Sequence, residues 1–259
     1  MNQFAKQTQS QDAEASPSKQ SRIISTVLSP AVRLWLRSQV EHVEDLHVKI
    51  EGGDRQILSG QVQKVSLSAR KAVYQGLHLS QVQLAGEKIR INLGQVLRGQ
   101  PLRLLEAFPI AGDVLLQEAD LNASLQAPLL ADALTEFLVT LLQSGSTDLL
   151  QSPAQESINL QNPQIVIGEG YLTLSATLVS LSGNTTPIVI RTGLQLASSH
   201  ELQLDHPEWL PTMKAKRGLP LADLDGFKLD LGPEVNIREL TLKLGQIMCC
   251  GQIMVIPAD

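Results

Sequence analysis

Apolar and polar residues alternate along four long stretches of the chain, which cover residues 60–92, 157–181, 188–204 and 227–256. An alternation of period two is typical of strands that bury one face. One strongly apolar segment, residues 115–142, lies between the first stretch and the second, and its apolar positions follow a helical period. We therefore predict an α+β fold in which a long, curved, mostly antiparallel sheet wraps around a central apolar helix.

The alternation changes parity twice within the first stretch. Val62 is out of step with Val65, with the break near residues 63–64, and Leu79 is out of step with Val82, with the break near residues 80–81. Such breaks in a period of two are produced by β-bulges, which bend and twist a sheet. The sequence therefore predicts curvature in this part of the sheet.

Apolar positions between residues 23 and 43 recur every three or four residues, which predicts an amphipathic helix that Pro30 bends or starts. The first strand is predicted to follow from Leu46. Arg33 and Arg37 lie on the polar side of the helix, and a basic amphipathic helix is suited to a membrane interface. The alternative that we favour is packing of its apolar stripe on the sheet.

The composition excludes some classes of function. With 259 residues, of which 43% are hydrophobic, the chain is long enough to bury a substantial core. The formal net charge of −5 argues against binding of nucleic acid, because proteins that bind it carry a basic field. Aromatic residues make up 3%, so an interior ligand would meet aliphatic side chains rather than stacking rings. These values favour an aliphatic partner.

The N-terminal residues differ in composition from the rest. Residues 1–21 are rich in Gln and Ser and have little to bury, which predicts a disordered tail. Residues 22–259 are predicted to form a single elongated domain. The sequence shows no charged leader with an apolar core and a cleavage site, and no apolar run approaches the ~20 residues of a membrane span. We therefore expect a cytoplasmic protein whose contact with membranes is peripheral.

Reactive side chains form no convincing cluster in the sequence. Cys249 and Cys250 are adjacent on a predicted strand, so they point to opposite faces and are expected to be reduced. His200 and His206 lie six residues apart on another strand, roughly 20 Å, which is beyond the reach of one metal ion. No serine is set in a strand-to-helix nucleophile motif. We expect no catalytic residue, no cofactor and no metal.

The residues around the apolar segment resemble those of a known family. The stretches LSGQVQKVSLSARKAVYQGLHLSQVQLAGEKIRINLGQVLRGQPLRL, from Leu58, and LLQEADLNASLQAPLLADAL, from Leu115, are similar to the LmeA family of phospholipid-binding proteins. Cyanobacterial members that lack a signal peptide are the most similar. The most recognisable part is EADLN at residues 118–122, and the resemblance spans residues 46–142. It implies association with phospholipid and a fold like that of tubular lipid-binding proteins.

Three kinds of function are compatible with these observations. The one that we favour is non-enzymatic binding or carriage of phospholipid, or of another long-chain apolar ligand, in a cavity between helix and sheet. The second is a structural or adaptor protein whose helix and sheet fill each other, and the third is an esterase or lipase. A binding site needs a cavity of a few hundred Å³, whereas an ordinary core has almost no voids. The predicted ligand-lining residues are Leu134, Leu138, Leu174, Leu178, Ile190 and Leu194.

One segment of this acidic protein combines apolar and basic side chains. Residues 206–221, HPEWLPTMKAKRGLPL, place Trp209 and Met213 beside Lys214, Lys216 and Arg217. Trp favours the boundary between headgroups and acyl chains, and each cation near an anionic surface contributes on the order of 1 kcal/mol. We predict that these five residues contact an anionic membrane, with the two arginines of the N-terminal helix as a second contact. The alternative is an exposed loop with solvated charges and a locally packed Trp.

Overall fold

The structure is a computed structural model that describes residues 24–143, 159–179 and 183–257, with the backbone alone for residues 24, 25, 129, 138–143 and 159. The predicted tail, residues 1–21, lies outside the described residues, and the prediction of a single domain stays a prediction. Within the described part, no helix combines the length and the apolar character needed to cross a bilayer.

Strands dominate the described chain, and five helices lie between them. The strands are β1 (His42–Glu51), β2 (Gln61–Tyr74), β3 (Leu77–Arg90), β4 (Phe108–Gln117), β5 (Asn159–Ile167), β6 (Leu172–Val179), β7 (Thr185–Leu196), β8 (Glu201–Trp209), β9 (Leu219–Pro220), β10 (Lys228–Asp230), β11 (Val235–Lys243) and β12 (Gln246–Val255). The helices are α1 (Ser29–Gln39), α2 (Asp54–Leu58), α3 (Leu93–Val96), α4 (Glu118–Ala123) and α5 (Pro128–Gln143). Single helical turns cover Ile24–Leu28, Ser124–Gln126 and Ala222–Leu224.

The first sheet is antiparallel, with the strand order β1-β2-β3-β4-β12-β11, and it is strongly curled into a half-barrel. Its centre is the long β2–β3 hairpin. The hairpin turns at Gln75 and Gly76, whose φ angles of 49° and 78° are the positive values that a tight two-residue turn requires. The hairpin β11–β12 returns from the end of the described chain and pairs with β4.

The two predicted breaks in the alternation coincide with interruptions of the β2–β3 pairing. The pairing skips Gln63 opposite Lys88 and Lys71 opposite Ser80. Lys71 and Lys88 have positive φ angles, 46° and 56°. Val62 therefore faces the same core as the residue three positions later, as the change of parity predicted. The register is the same on both sides of each interruption, so these breaks in the pairing are not the β-bulges that the sequence predicted, although the sheet is strongly curled as expected.

The predicted single long sheet is in fact two sheets. The second is also antiparallel, in the order β10-β8-β7-β6-β5, with β9 paired to β8. The edge strand β11 and the turn before β6 join the two sheets. The N–H of Ile237 donates to the carbonyl of Ser199 at 2.6 Å, and the N–H of Gly170 donates to the carbonyl of Leu242 at 3.1 Å. The alternation predicted the strands, but it could not assign them to separate sheets.

The prediction of a helical segment over residues 115–142 is wrong at its start and correct in its middle, where Pro128 favours the first turn of a second helical piece after a short break. Residues 115–117 are the end of β4, and α4 begins at Glu118. A single helical turn at Ser124–Gln126 then separates α4 from α5. Leu116 pairs with Ile247 of β12 and packs against a buried cluster. A strand therefore explains its apolar side chain as well as a helix does. Periodicity cannot distinguish the two states over so short an apolar run.

The long helix α5 packs on the second sheet. Leu130, Leu134 and Phe137 contact the buried cluster that includes Leu174, and the Phe137 ring meets the Phe227 ring edge-on at 6.0 Å. A helix at the centre of the curled first sheet, which the sequence predicted, is therefore not confirmed. The apolar character of α5 is explained by its contacts with the second sheet.

The N-terminal helix α1 packs on the first sheet, as we favoured. Leu28 and Val32 are buried in one cluster with Ile50 of β1, whereas the two arginines of the helix are exposed. The helix carries Pro30 in its first turn and ends four residues before the predicted limit, residue 43. β1 consequently begins four residues before Leu46.

Candidate functional site

The inner face of the first sheet, which is the face that packs on α1, carries aliphatic residues in rows across the strands. One row consists of directly paired residues on neighbouring strands: Val48, Leu67, Leu84, Gly112, Gly251 and Ile237. The next row consists of Ala69, Val82, Val114, Cys249 and Leu240. Directly paired residues project to the same face of a sheet, so the two rows form one apolar band, which we call the aliphatic belt.

The aliphatic belt is partly open to solvent. On one side of it the inner face is buried by α1, and on the other side by α4 and the second sheet. Between these two cores, Leu67, Leu84 and Val114 are half-buried, and the neighbouring Ile253 is 51% exposed. A continuous row of part-exposed aliphatic side chains within a curled sheet is a feature of surfaces that bind an apolar partner.

Two glycines face each other across β4 and β12 in the middle of the belt. A side chain on Gly112 would overlap the carbonyl of Gln83 and lie 2.8 Å from Cδ2 of Leu84. A side chain on Gly251 would lie 2.5 Å from the carbonyl of Asn236. Both positions therefore require glycine, because atoms of the neighbouring strands fill the space that a side chain would occupy.

A cavity of about 480 Å³ lies against β1 to β4 at the level of the belt. Its lining includes Val48, Leu67, Leu84 and Gly112, the residues that flank each of them on its strand, and Arg33 of α1. This volume falls within the range of roughly 300–1,000 Å³ that small-molecule sites occupy. The cavity thus places one exposed guanidinium beside the strands that carry the belt.

A smaller cavity of about 280 Å³ lies toward the turn of the β2–β3 hairpin. It is lined by His42, Lys71, Ala72, Val73, His78, Leu79 and Asp120. Glu44 approaches two of its basic groups, with Lys71 Nζ at 3.7 Å and His42 Nε2 at 3.8 Å. Because these charges are already paired, the smaller cavity is the weaker candidate for a charged ligand.

The EADLN segment, residues 118–122, holds the edge of the second sheet. Strand β5 pairs with β6 on one side. On its other side, side chains of α4 form hydrogen bonds with its backbone N–H and C=O groups. Asn122 donates to the carbonyl of Ile165 and accepts from its N–H, both at 2.8 Å, while Glu118 Oε2 accepts from the N–H of Ile167 at 2.8 Å. These side chains occupy the place of a neighbouring strand and close an otherwise open edge.

The same segment is also tied to the first sheet. The hydroxyl of Ser80 in β3 donates to Asp120 Oδ2 at 2.5 Å and accepts from the N–H of Gln117 at 2.7 Å. The hydroxyl of Ser124 accepts from the N–H of His78 and donates to the Asp120 carbonyl, each at 2.7 Å. The most recognisable motif of the sequence is thus a junction between the two sheets.

Five of the six predicted ligand-lining residues fall into two packed clusters. Leu174 packs with Leu134 and Leu194, whereas Leu178 and Ile190 belong to the neighbouring cluster. The strand residues of β6 and β7 among them are buried, apart from the half-buried Leu194. The side chain of Leu138 lies outside the described part. Neither cavity above is lined by these residues, and their contact with a ligand stays a prediction.

The predicted membrane-contact loop follows β8 of the second sheet. Its three basic residues, Lys214, Lys216 and Arg217, are exposed. Trp209 packs against the buried cluster of β6 and β7, and Met213 is half-buried. The basic side chains are therefore free to meet a membrane, while the two apolar side chains are engaged with the protein.

Arg191 of β7 holds this loop in place through hydrogen bonds. Its guanidinium donates to the carbonyls of Ala215 at 2.6 Å and Lys216 at 3.3 Å, and it lies 5.1 Å from the centre of the Tyr171 ring. The other predicted contacts, Arg33 and Arg37, lie on α1 against the first sheet. The two predicted sets of membrane contacts thus belong to different sheets.

The cysteines of β12 are free thiols with little reactivity. Burial, followed by the neighbouring Cys250 and Asp113, raises the pKa of the Cys249 thiol. A hydrogen bond with Asp113, followed by burial, raises the pKa of Cys250. Both thiols are therefore protonated at neutral pH, and a protonated thiol is a poor nucleophile and a poor metal ligand.

One row on the outer face brings catalytic residue types near each other. His47 is paired with Ser68, and Asp113 lies in the same row two strands further on. Three strand spacings separate His47 from Asp113, which is roughly 14 Å, so this carboxylate cannot orient the imidazole. This row is not the triad of an esterase.

A second group of polar side chains lies in the second sheet and its neighbouring loop. Ligand atoms of Asp205, His206 and Asp225 lie within 4.8 Å of one another. The hydrogen bond between His206 Nδ1 and Asp205 Oδ1, at 2.7 Å, and the charges of Asp205 and Asp225 raise the pKa of His206. Asp225 Oδ1 also accepts from the backbone N–H of His206 at 2.9 Å, so these contacts among the three residues account for the arrangement.

The described residues thus combine a curled sheet that carries a partly open aliphatic belt with two thiols of raised pKa. The model of the LmeA-like phospholipid-binding family matches residues 19–252, so the chain belongs to this family. The match extends well beyond residues 46–142, where the resemblance was first visible. No curated protein and no solved structure matches the chain.

Proposed function

We propose that this protein binds or carries phospholipid, or another long-chain apolar ligand, without catalysing a reaction. In this proposal the acyl chain lies along the aliphatic belt of the first sheet. The observation that carries it is that Leu67, Leu84 and Val114 of the belt are half-buried and belong to none of the buried clusters. Membership in a phospholipid-binding family supports the choice of ligand.

The belt provides both the energy and the space for such a ligand. Each buried methylene of an acyl chain contributes about 0.8 kcal/mol, and the exposed faces of Leu67 and Leu84 lose contact with water at the same time. The adjoining cavity of about 480 Å³ provides the space. Arg33 supplies the cation that would pair with the lipid phosphate, since guanidinium groups bind phosphate bidentately.

Native mass spectrometry of gently purified protein, followed by organic extraction, tests this function. We expect a mass shift that corresponds to stoichiometric phospholipid, and the same lipid in the extract. Protein freed of lipid should recover the shift after exposure to phospholipid vesicles. A lipid-free mass, with no uptake from the vesicles, would contradict the proposal.

A second place for the ligand is the interior between α5 and the second sheet, where the six predicted residues lie. Leu178 and Ile190 are buried there by neighbouring side chains, so a ligand would have to displace packed groups. This cost favours the belt. A filled interior is also what the adaptor alternative requires, and that function would show itself as a stable lipid-free protein.

The basic loop after β8 is our proposed first contact with an anionic membrane. Lys214, Lys216 and Arg217 are exposed, and each contributes on the order of 1 kcal/mol near an anionic surface. Because Trp209 is engaged with the core, the attraction is electrostatic and should weaken as salt screens the charges. Sedimentation with anionic vesicles at increasing salt measures this contribution, and salt-independent binding would exclude it.

A further inference from the structure

One end of the first sheet is closed by a cap, which comprises α2, α3 and the neighbouring residues 59–60, 90–92 and 97–106. The cap lies where β2 begins and β3 ends. Its inner side is apolar, because Ile57, Leu93 and Leu102 are buried in the same cluster as the residues of α1. These contacts account for the folding of the cap.

Hydrogen bonds hold the segments of the cap in place. The side chain of Asn92 donates to the carbonyl of Pro101 at 2.9 Å and accepts from the N–H of Arg103 at 2.7 Å. The N–H of Ile91 donates to the carbonyl of Gly60 at 2.9 Å, which joins the end of β3 to the chain after α2. The outer side of the cap is therefore presented on a fixed frame.

Three leucines lie on the outer side of this frame. Leu58 at the end of α2, Leu97 after α3 and Leu105 in the following segment are 58%, 52% and 54% exposed. Each comes from a different segment of the cap, and none belongs to a buried cluster. The fold thus leaves about half of each leucine in water, which costs free energy unless another surface covers it.

The cap is also positively charged in a protein with a formal net charge of −5. Residues 54–60 and 90–106 contain four arginines and two acidic residues. Arg90 is paired with Glu106 at 2.8 Å. Arg55, Arg98 and Arg103 are exposed, and within the described residues they form no ion pair. Exposed leucines beside unpaired arginines complement an anionic surface with an apolar interior.

We propose that the cap docks on an anionic lipid bilayer, with Leu58, Leu97 and Leu105 in the acyl–headgroup boundary and the arginines on the phosphates. The inference rests on the proposed function, since a phospholipid carrier must meet a membrane. A protein partner is less suited to this surface. The cap contains no Trp, Tyr or Phe, and these aromatic side chains usually dominate the energy of protein interfaces.

Docking through the cap sets the orientation of the molecule. β2 leads from the cap to Leu67 of the belt in six residues, roughly 20 Å. The strands of the first sheet would therefore stand upright on the bilayer, with the belt above the surface. The basic loop lies toward the opposite end of the first sheet from the cap. Ser199 bonds to Ile237 and Gly170 to Leu242, and Trp209, which precedes the loop, lies on the Leu242 side. The cap and the loop are therefore alternative docking surfaces, and the variants below distinguish them.

The test removes the apolar part of the cap by the triple substitution Leu58→Gln, Leu97→Gln and Leu105→Gln. Since the three leucines are exposed, the melting temperature should not fall. Affinity for vesicles of phosphatidylcholine with phosphatidylglycerol should decrease about 100-fold. The reason is that the exposed half of each of the three leucine side chains no longer moves from water into the bilayer. Leu244→Gln is the matched control, because Leu244 is 79% exposed at the opposite end of the sheet.

A second set of variants separates charge from apolar contact. Changing Arg55, Arg98 and Arg103 together to Gln should weaken binding on the order of 100-fold at low salt, with little difference at high salt. The same changes at the three basic residues of the loop should have a smaller effect. A larger effect at the loop than at the cap would overturn the proposal.

A gain of binding provides a readout that does not depend on loss of structure. Leu97→Trp should strengthen binding to the vesicles, and its fluorescence should shift to the blue and be quenched by lipids that carry a quencher in the acyl chain. A Trp fluorescence that the vesicles leave unchanged would overturn docking through the cap, as would a wild-type protein that does not bind vesicles.

Uptake of a short-chain phospholipid below its critical micelle concentration distinguishes failure of docking from failure of the proposed function. The cap variants should keep this uptake, because monomeric lipid reaches the belt without a membrane. Uptake without any effect of the cap variants on vesicle binding refutes the cap alone. Absence of uptake in the wild-type protein refutes the lipid-binding function itself.

Discussion

Replacing Leu67 by Trp is expected to abolish uptake of phospholipid while the protein remains folded. Leu67 lies in the middle of the aliphatic belt, between Val48 and Leu84, and it lines the cavity of about 480 Å³. Since Leu67 is only half-buried, the larger ring can extend into the open space instead of into a packed core. Binding of a fluorescent phospholipid should weaken at least about tenfold, a loss of about 1.4 kcal/mol or more.

Leu178→Trp is the matched control for this substitution. Leu178 is 3% exposed, so the added ring must be forced among packed side chains, at a cost of about 1–3 kcal/mol in stability. We expect a lower melting temperature and unchanged uptake by the folded protein. The opposite pair of results, in which Leu178→Trp blocks uptake and Leu67→Trp does not, would place the ligand between α5 and the second sheet.

Replacing Asn122 by Ala is expected to cause a large loss of stability. The Asn122 side chain donates to the carbonyls of Glu118 and Ile165 and accepts from the N–H of Ile165. Ala would leave both backbone groups of the buried Ile165 without partners at the edge of the second sheet. The free energy of unfolding, measured by urea denaturation, should fall by about 2–4 kcal/mol.

Three further variants test the reason for that loss. Asn236→Ala removes an exposed amide from β11 and should change the free energy of unfolding by less than about 0.5 kcal/mol. Glu118→Gln keeps an oxygen that can accept from the N–H of Ile167, so it should be milder than Glu118→Ala. Equal effects of Asn122→Ala and Asn236→Ala would mean that the EADLN segment does not stabilise the junction.

The strands and the curvature of the first sheet could be predicted from the alternation of residues. The parity break between Val62 and Val65 predicted a β-bulge, whereas the structure has an interruption of the pairing opposite Lys88 with no change of register. The division into two sheets could not be predicted, because alternation defines the face of a residue and not its partner strand. The same limit applies to residues 115–117, where a strand and a helix bury Leu116 equally well.

The candidate site was predicted less well, since apolar character is shared by cores and by ligand sites. Leu178 and Ile190 were chosen for the face they share, and the structure buries both. The belt carries the same signal in Leu67 and Leu84. These residues become neighbours because a two-residue turn sets the register of β2 and β3, and their exposure depends on which helix covers which sheet.

The cap shows a further limit of sequence patterns. Leu58 and Leu97 lie at the ends of helices of five and four residues, which are too short to display a helical period. The opposite placement of buried Ile57 and exposed Leu58 is visible only in the folded chain. Charge counts over the whole protein also conceal the cap, because 24 of the 26 acidic residues lie elsewhere in the sequence.

Photo-crosslinking with a phospholipid that carries a diazirine in its acyl chain tests most directly whether the chain binds on the aliphatic belt. The loaded protein is irradiated, digested and analysed by mass spectrometry to locate the modified residues. If the acyl chain lies on the aliphatic belt, we expect labels on β2, β3, β4 and β12 around Leu67, Leu84 and Val114. These labels should be lost in the Leu67→Trp variant. Labels confined to α5, β6 and β7, with none on the belt, would contradict it.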